Sequence, residues 1–457
     1  MNSQTTPFER RVVASLASLY AFRMMGLFMV LPVLTLYGQE YTGSTTFLLG
    51  VALGAYGFTQ ALLQVPFGML SDRWGRKPVI VVGLVLFALG SVVAALTDSV
   101  YGLILGRCLQ GGGAIAGAIM ALVADLTAEE NRTKAMASIG ASIGISFSVA
   151  LVLGPWVAGL GGLSGVFWLT AGFAGIGLVV LFTLIPTPRR VSKHPAGSRR
   201  EASAVPSLLE QTLRHPELLR LYSGIFSLHF ILMANFVALP VVLTKQLGLA
   251  GESHWKVYLP LLALAFATMV PFIIIAERRR RMKTVFLSAV ALLGSMEAAM
   301  VWLQVNMLGA LMGLFLFFLA FNLLEATLPS LMSKIAPAGS KGTASGIYST
   351  CQFLGAFGGG VAGGGMMQLG GAAWVFACCA VVGGIWLSIA YFMCSPRHLS
   401  SVWVPLSEQK LSQLASTQQL LSGLAGVEEV IILAEERAAC LKVDSSRFDR
   451  QVISEFA

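Results

Sequence analysis

The chain reads as an all-α membrane protein of twelve transmembrane helices, arranged as two pseudo-symmetric six-helix bundles, with a small α+β domain at the C-terminal end. Three observations predict this. Hydrophobic residues make up 56% of the 457 and charged residues only 12%, about half the charged share of an ordinary soluble domain. Apolar stretches long enough to span a bilayer, roughly 20 residues each, recur along most of the chain. A pattern in the first half of the chain then returns in the second half. Lys341 follows Lys134 by 207 residues, and Ser345 follows Ser138 by the same 207.

The predicted spans are residues 14–38, 46–70, 78–97, 100–125, 135–160, 163–186, 218–247, 253–276, 284–304, 306–334, 342–369 and 371–394. Inside lipid each backbone N–H needs an internal partner, so such segments are helices. A membrane β-barrel would instead show short alternating segments. The first stretch is too long for the apolar region of a signal peptide and reads as an uncleaved first span.

The net charge of +9 is distributed as a topology signal. Arg10 and Arg11 precede span one. Arg73, Arg76 and Lys77 lie between spans two and three, and Arg132 and Lys134 between four and five. Arg189 to Arg220 lies between six and seven, and Arg278 to Arg281 with Lys283 between eight and nine. Lys334 and Lys341 flank the loop between ten and eleven. The alternate loops are nearly free of Lys and Arg, apart from Lys245 and Lys256. This is the positive-inside pattern, with both termini expected in the cytoplasm. It also accounts for the basic charge without nucleic acid, which is not an expected partner.

Composition divides the chain into an N-terminal bundle (1–187), a polar linker rich in Pro, Arg and Ser (188–217), a C-terminal bundle (218–396) and a soluble tail (402–457). In the tail, Val402 to Leu406 has strand character, and Leu411, Leu414, Leu421 and Leu424 share a helix face that Gly423 and Gly426 end. Val427 to Leu433 and Ala438 to Val443 read as a hairpin turning through Glu435 and Glu436. Phe448, Val452 and Phe456 repeat at helical spacing. The order βαββα is that of a ferredoxin-like split-βαβ unit with its last strand missing or very short.

The six cysteines contain no C-x-x-C, so no redox motif and no metal site are expected, and no cofactor is. No grouping of nucleophile, base and metal ligands points to an enzyme.

Motifs sharpen the class. The run Gly68-Met-Leu-Ser-Asp72-Arg73-Trp-Gly75-Arg76-Lys77-Pro-Val-Ile80 resembles motif A of the major facilitator superfamily, in the loop between spans two and three. Arg107-Cys-Leu-Gln110-Gly111 resembles its motif B. Gly154-Pro155-x-x-Ala158-Gly159 resembles the antiporter-associated motif C, with alanine in place of one glycine. With the tail added, the chain is similar to the YajR-type group within that superfamily.

The resemblance implies two six-helix bundles rocking about a midplane site, a small-molecule substrate, a monomeric transport unit and a bacterial inner-membrane location. It also implies a latch role for motif A. Physically, Asp72 at the end of span two can be held by the positive end of span eleven's helix dipole. That is worth about 0.3–2 kcal/mol depending on burial. Arg76 can pair with Asp125. These contacts would favour the outward-facing state. Glycines 140, 144, 154 and 159, with Pro155, read as close packing and a bend in span five.

Ionisable groups inside spans are costly and default to functional readings. Arg23, Arg107, His229 and Glu325 lie in spans one, four, seven and ten, which in this family line the central cavity, so they read as one constellation. Glu325 is the expected proton carrier, with Asn322 one turn earlier on the same face. Arg23 is a candidate counter-charge, and Glu297 in span nine is expected off the cavity in a structural pair. Tryptophans 156, 168, 255, 302 and 374 read as an interfacial belt. The leading reading is proton-coupled efflux driven by the proton gradient. An uncoupled sugar or metabolite facilitator and a receptor with the tail as output domain remain alternatives. For the tail, regulation, ligand sensing and self-association are open.

Overall fold

The computed structural model describes residues 6–127, 129–186, 209–279, 281–337, 340–394, 400–411, 413–433, 438–443 and 448. Ten helical segments are long and apolar enough to cross a membrane. One of them, Lys134–Thr183, covers spans five and six. It breaks at Gly161 and at Gly162, whose φ of +61° only glycine adopts without strain. Lys341–Gly370 adds span eleven, a 30-residue helix whose many glycines lower its hydropathy. The crossings thus number twelve among the described residues.

Span one is Pro7–Phe28, opened by a Thr6–Glu9 capping box. It unwinds over residues 29–33 and resumes as Leu34–Tyr37. Span two is Thr46–Trp74 and span three Arg76–Leu96, separated by Gly75 at φ +99°. Span four is split into Val100–Gly112 and Ala116–Leu126, an interruption that the Gly111-Gly112-Gly113 run permits. Spans seven to ten are Pro216–Val241, Trp255–Arg278, Met282–Leu303 and Met307–Ile335, and span twelve is Ala372–Tyr391. A short helix, Leu209–Arg214, precedes span seven within the predicted linker.

The tail forms a three-stranded antiparallel sheet in the order β1-β3-β2. β1 is Ser400–Pro405, β2 Val427–Leu433 and β3 Ala438–Val443. The helices Glu408–Leu411 and Leu414–Ser422 lie between β1 and β2. A central β3 antiparallel to both neighbours is the expected split-βαβ order. Val404, Leu421, Ala439, Leu441 and Val443 form its core, with Phe448 packed against it. The turn at Glu435 and Glu436, and the predicted helix through Val452 and Phe456, lie outside the described residues.

Among the described residues, the basic segments before span one and between spans two and three, four and five, eight and nine, and ten and eleven share one end of the bundle, here the basic face. Towards the opposite, far face the two halves pack against each other. One buried apolar cluster runs from Met29–Leu34, Leu49, Leu53 and Phe147 into spans seven and ten. A second, including Leu16, Ile80, Leu122 and Ile139, belongs to the basic end of the N-terminal half. The apolar core therefore joins the halves on the far side.

Candidate functional site

Spans two and eleven approach at backbone distance in their far halves. A Cβ on Gly50 would lie 2.3 Å from the Gly360 carbonyl oxygen, and one on Gly54 2.7 Å from that of Phe357. Towards the basic face the same helices part around a cavity of about 460 Å³. Its lining includes Gln64, Gly68 and Asp72 from span two, and Lys341, Gly342 and Ser345 from span eleven. At mid-depth, Phe147 of span five stands 6.3 Å from Phe236 of span seven and 6.4 Å from Phe321 of span ten, centroid to centroid. These rings form an apolar plug across the two halves.

Motif A borders this cavity. Arg76 pairs with Asp72 at 2.5 Å and with Asp125 at 3.3 Å. It also donates to the Ser71 hydroxyl at 2.7 Å, and that hydroxyl donates to the Gly68 carbonyl at 2.8 Å. The Lys77 ammonium donates to the Ile185 carbonyl, tying span three to the end of span six. The expected Arg76–Asp125 pair is thus formed. Asp72 faces the first turn of span eleven across the cavity, its side chain 43% exposed. A Cβ on Gly68 would meet nothing within 4 Å.

The four ionisable residues read as one constellation fall into two. In the N-terminal half, Arg23 is 1% exposed. One of its terminal nitrogens donates to the Tyr56 hydroxyl at 2.8 Å, to the Gln60 side-chain oxygen at 2.7 Å and to the Gly113 carbonyl at 3.0 Å. Gly113 belongs to the break in span four, so Arg23 satisfies a carbonyl that the interrupted helix leaves open. Arg107 donates to Gln110 at 2.8 Å and to the Ala52 carbonyl at 3.3 Å, and lies 5.1 Å from the Tyr56 ring centroid. Gln110 donates to Ser91 at 2.8 Å. No carboxylate comes within ion-pairing distance of either guanidinium among the described residues. Arg23 is therefore not the counter-charge of Glu325 in this arrangement: one terminal nitrogen is taken up by spans two and four, and its Nε and other terminal nitrogen are buried without a hydrogen-bond partner. Motif B's Gly111 packs on span two, where a Cβ would lie 2.1 Å from the Tyr56 carbonyl.

In the C-terminal half, His229 Nδ1 lies 3.3 Å from the Ile225 carbonyl one turn earlier. Its Nε2 lies 2.8 Å from Gln352 Nε2. This network assigns the proton to Nδ1 and has Nε2 accept from the Gln352 amide. Glu325 Oε2 stands 3.8 Å from the same Nε2, too far for a hydrogen bond. Glu325 is half-buried, one turn nearer the basic face than the Phe321 ring. Its Oε2, the Asn322 amide nitrogen and the Tyr348 hydroxyl are buried without a hydrogen-bond partner. Gln352 and Tyr348 were missed from sequence because an amide and a phenol in a glycine-rich span carry no charge to mark them.

Glu297 is buried in span nine and accepts from the Asn235 amide at 2.8 Å, away from the cavity. Its partner is an amide, not the opposite charge that an ion pair would need. In motif C, a Cβ on Gly154 would lie 2.4 Å from the Met29 carbonyl in the unwound stretch of span one. One on Gly159 would lie 3.0 Å from Glu252 of the opposite half. Gly140 has open space and Gly144 only an ordinary contact with Phe266, so the close packing expected at those two is absent. Trp156, Trp168, Trp302 and Trp374 are exposed, as a belt requires.

Comparison with known proteins decides the family. Residues 16–360 match the Major Facilitator Superfamily model. The chain belongs to the major facilitator superfamily. It is 46% identical to the inner membrane transport protein YajR of Escherichia coli over 445 residues, covering 97% of this chain and 96% of that one. It is 33% identical to the class B tetracycline resistance protein of Escherichia coli over 141 residues, 30% of this chain. Among solved structures, a bacterial homolog of the human lysosomal transporter Spinster, crystallised inward-facing and unoccupied, superposes with a TM-score of 0.69. That match covers 85% of this chain and 98% of the other at 14% identity, which speaks to fold alone. The protein is a multi-pass membrane transporter of this superfamily.

Proposed function

We propose that this transporter exports small molecules in exchange for protons by alternating access, and that the present arrangement is open to the cytoplasm. The basic face is read as cytoplasmic because Lys and Arg concentrate in its loops. On that reading both termini and the tail are cytoplasmic, in a bacterial inner membrane, and the far-face glycine contact is the closed outer gate. Efflux is supported by motif C and by the relatives named for tetracycline resistance.

The observation that carries proton coupling is the placement of Glu325. It is a half-buried carboxyl at mid-membrane, on the cytoplasmic side of the aromatic plug, and its one basic neighbour within 4 Å among the described residues is His229. A carboxyl so placed can take a proton or a substrate cation, and release it when the plug opens the other way. Motif A is the latch of the outward state. Closing the cytoplasmic cavity brings Asp72 onto the positive end of span eleven, while Arg76 and Asp125 hold the loop that presents it.

The test is flux in proteoliposomes under an imposed pH gradient, wild type against Glu325→Gln, with a panel of cationic, neutral and anionic solutes. Gradient-driven flux in the wild type and its loss in the variant are expected. Equal, gradient-independent flux in both would remove the antiport mechanism. Binding without flux would favour the receptor.

A further inference from the structure

β3 is buried at all six positions, which a small three-stranded sheet with helices on one side does not achieve by itself. Its side chains alternate between faces. Ala439, Leu441 and Val443 enter the tail core. Ala438, Cys440 and Lys442 point the other way, yet are 6%, 0% and 5% exposed.

Lys442 identifies what lies against that face. Its ammonium donates to the carbonyls of Lys334 at 3.1 Å and Ile335 at 3.4 Å, the last turn of span ten. A cation at a helix C-terminus meets carbonyls that lack partners within the helix and the negative end of the dipole. Burial pulls the lysine's pKa below its usual range. The Glu429 carboxylate opposes this shift, and the Lys341 charge adds to it. Lys341 opens span eleven and lines the cytoplasmic cavity opposite Asp72. The Lys334 side chain in turn pairs with Glu277 at the end of span eight, at 3.1 Å.

We propose that the second face of the tail sheet is an intramolecular docking surface for the cytoplasmic end of span ten, and that the docked tail favours the cytoplasm-open arrangement. The inference rests on the gate reading above. Docking places the Lys442 ammonium on the last turn of span ten, a short loop ahead of Lys341 at the start of span eleven, which must close towards span two. The loop it would meet carries Arg73, Arg76 and Lys77 as well as Asp72. An added cation there opposes closure, and because Lys442 is buried it is less screened by salt than a surface charge. The tail is then a brake on the latch.

The experiment uses the full chain in nanodiscs, with native cysteines replaced and pairs of spin labels introduced. A pair at Ser422 and Arg279 reads tail docking, and a pair at Lys134 and Arg279 reads the gap between the halves. Lys442→Met keeps the apolar stem and removes the ammonium. It is expected to raise the undocked-to-docked ratio about tenfold and to shift the second pair towards shorter distances. Lys442→Arg is expected to restore both. An unchanged Ser422–Arg279 distribution in Lys442→Met would overturn the docking. Release of the tail with an unchanged Lys134–Arg279 distribution would overturn the brake. Neither readout needs substrate or a pH gradient, so failure here is distinct from failure of proton coupling.

Discussion

Gly50 of span two and Gly360 of span eleven exclude side chains from each other reciprocally. A Cβ on Gly50 would lie 2.3 Å from the Gly360 carbonyl, and one on Gly360 2.7 Å from that of Gly50. The obstacle on each side is backbone, which cannot rotate away as a side chain can.

Gly360→Val is therefore expected to oppose closure of the far face. Overpacking of this kind costs about 1–3 kcal/mol, enough to shift the ratio of the two arrangements by about 5- to 150-fold. Cysteine labelling at far-face positions should accelerate and labelling inside the basic-face cavity should slow. Unaltered labelling at both ends would mean that this contact is not the gate.

Asp72→Asn removes the charge that the latch needs and keeps the shape. Asp72 is exposed to the cavity here and its ion-pair partner is Arg76, so the cytoplasm-open arrangement loses little. The closed-cytoplasm arrangement loses the helix-dipole contact, worth about 0.3–2 kcal/mol. Normal insertion with slower transport and a larger cytoplasm-open population are expected. Wild-type flux from a properly inserted variant would sink the latch.

Much of this was legible in the sequence because the bilayer imposes simple rules. The spans follow from hydropathy, the basic face from Lys and Arg placement, and the hairpin of the tail from two strand-like runs. Span eleven was read as an apolar stretch at 342–369 even though Gly355, Gly359, Gly360, Gly363 and Gly364 dilute its apolar character. Side-chain direction was not legible. Arg23 and Glu325 are both ionisable residues within spans one and ten, and only the structure shows Arg23 turned into its own half, towards Tyr56, Gln60 and the break at Gly113. The Lys442 contact was hidden for a similar reason. A lysine in a strand reads as a solvent-facing residue until its neighbours are known.

Arg23 is a structural staple on this geometry, which separates it from the transport groups. Arg23→Met would leave the Gln60 oxygen and the Gly113 carbonyl short of a donor. Hydrogen bonds to a charged group contribute about 1.5–3 kcal/mol each. A marked fall in thermal stability in detergent is expected, with residual flux still dependent on the pH gradient. Full stability with lost gradient dependence would instead return Arg23 to the coupling site.

Gln352 controls what His229 can do. While the amide donates to Nε2, that nitrogen has no proton to offer Glu325. Gln352→Leu frees it, and the nearest acid is Glu325 at 3.8 Å. A histidine that pairs with Glu325 would hold the carboxylate and delay its turnover, so flux should fall about tenfold. The effect acts through Glu325, and residues in one network couple by about 0.5–3 kcal/mol. Gln352→Leu should then add little to Glu325→Gln in the double variant. Losses that simply multiply would show that Gln352 acts on packing alone, and His229→Ala, which removes the ring, should rescue the Gln352→Leu variant only if the pairing is the cause.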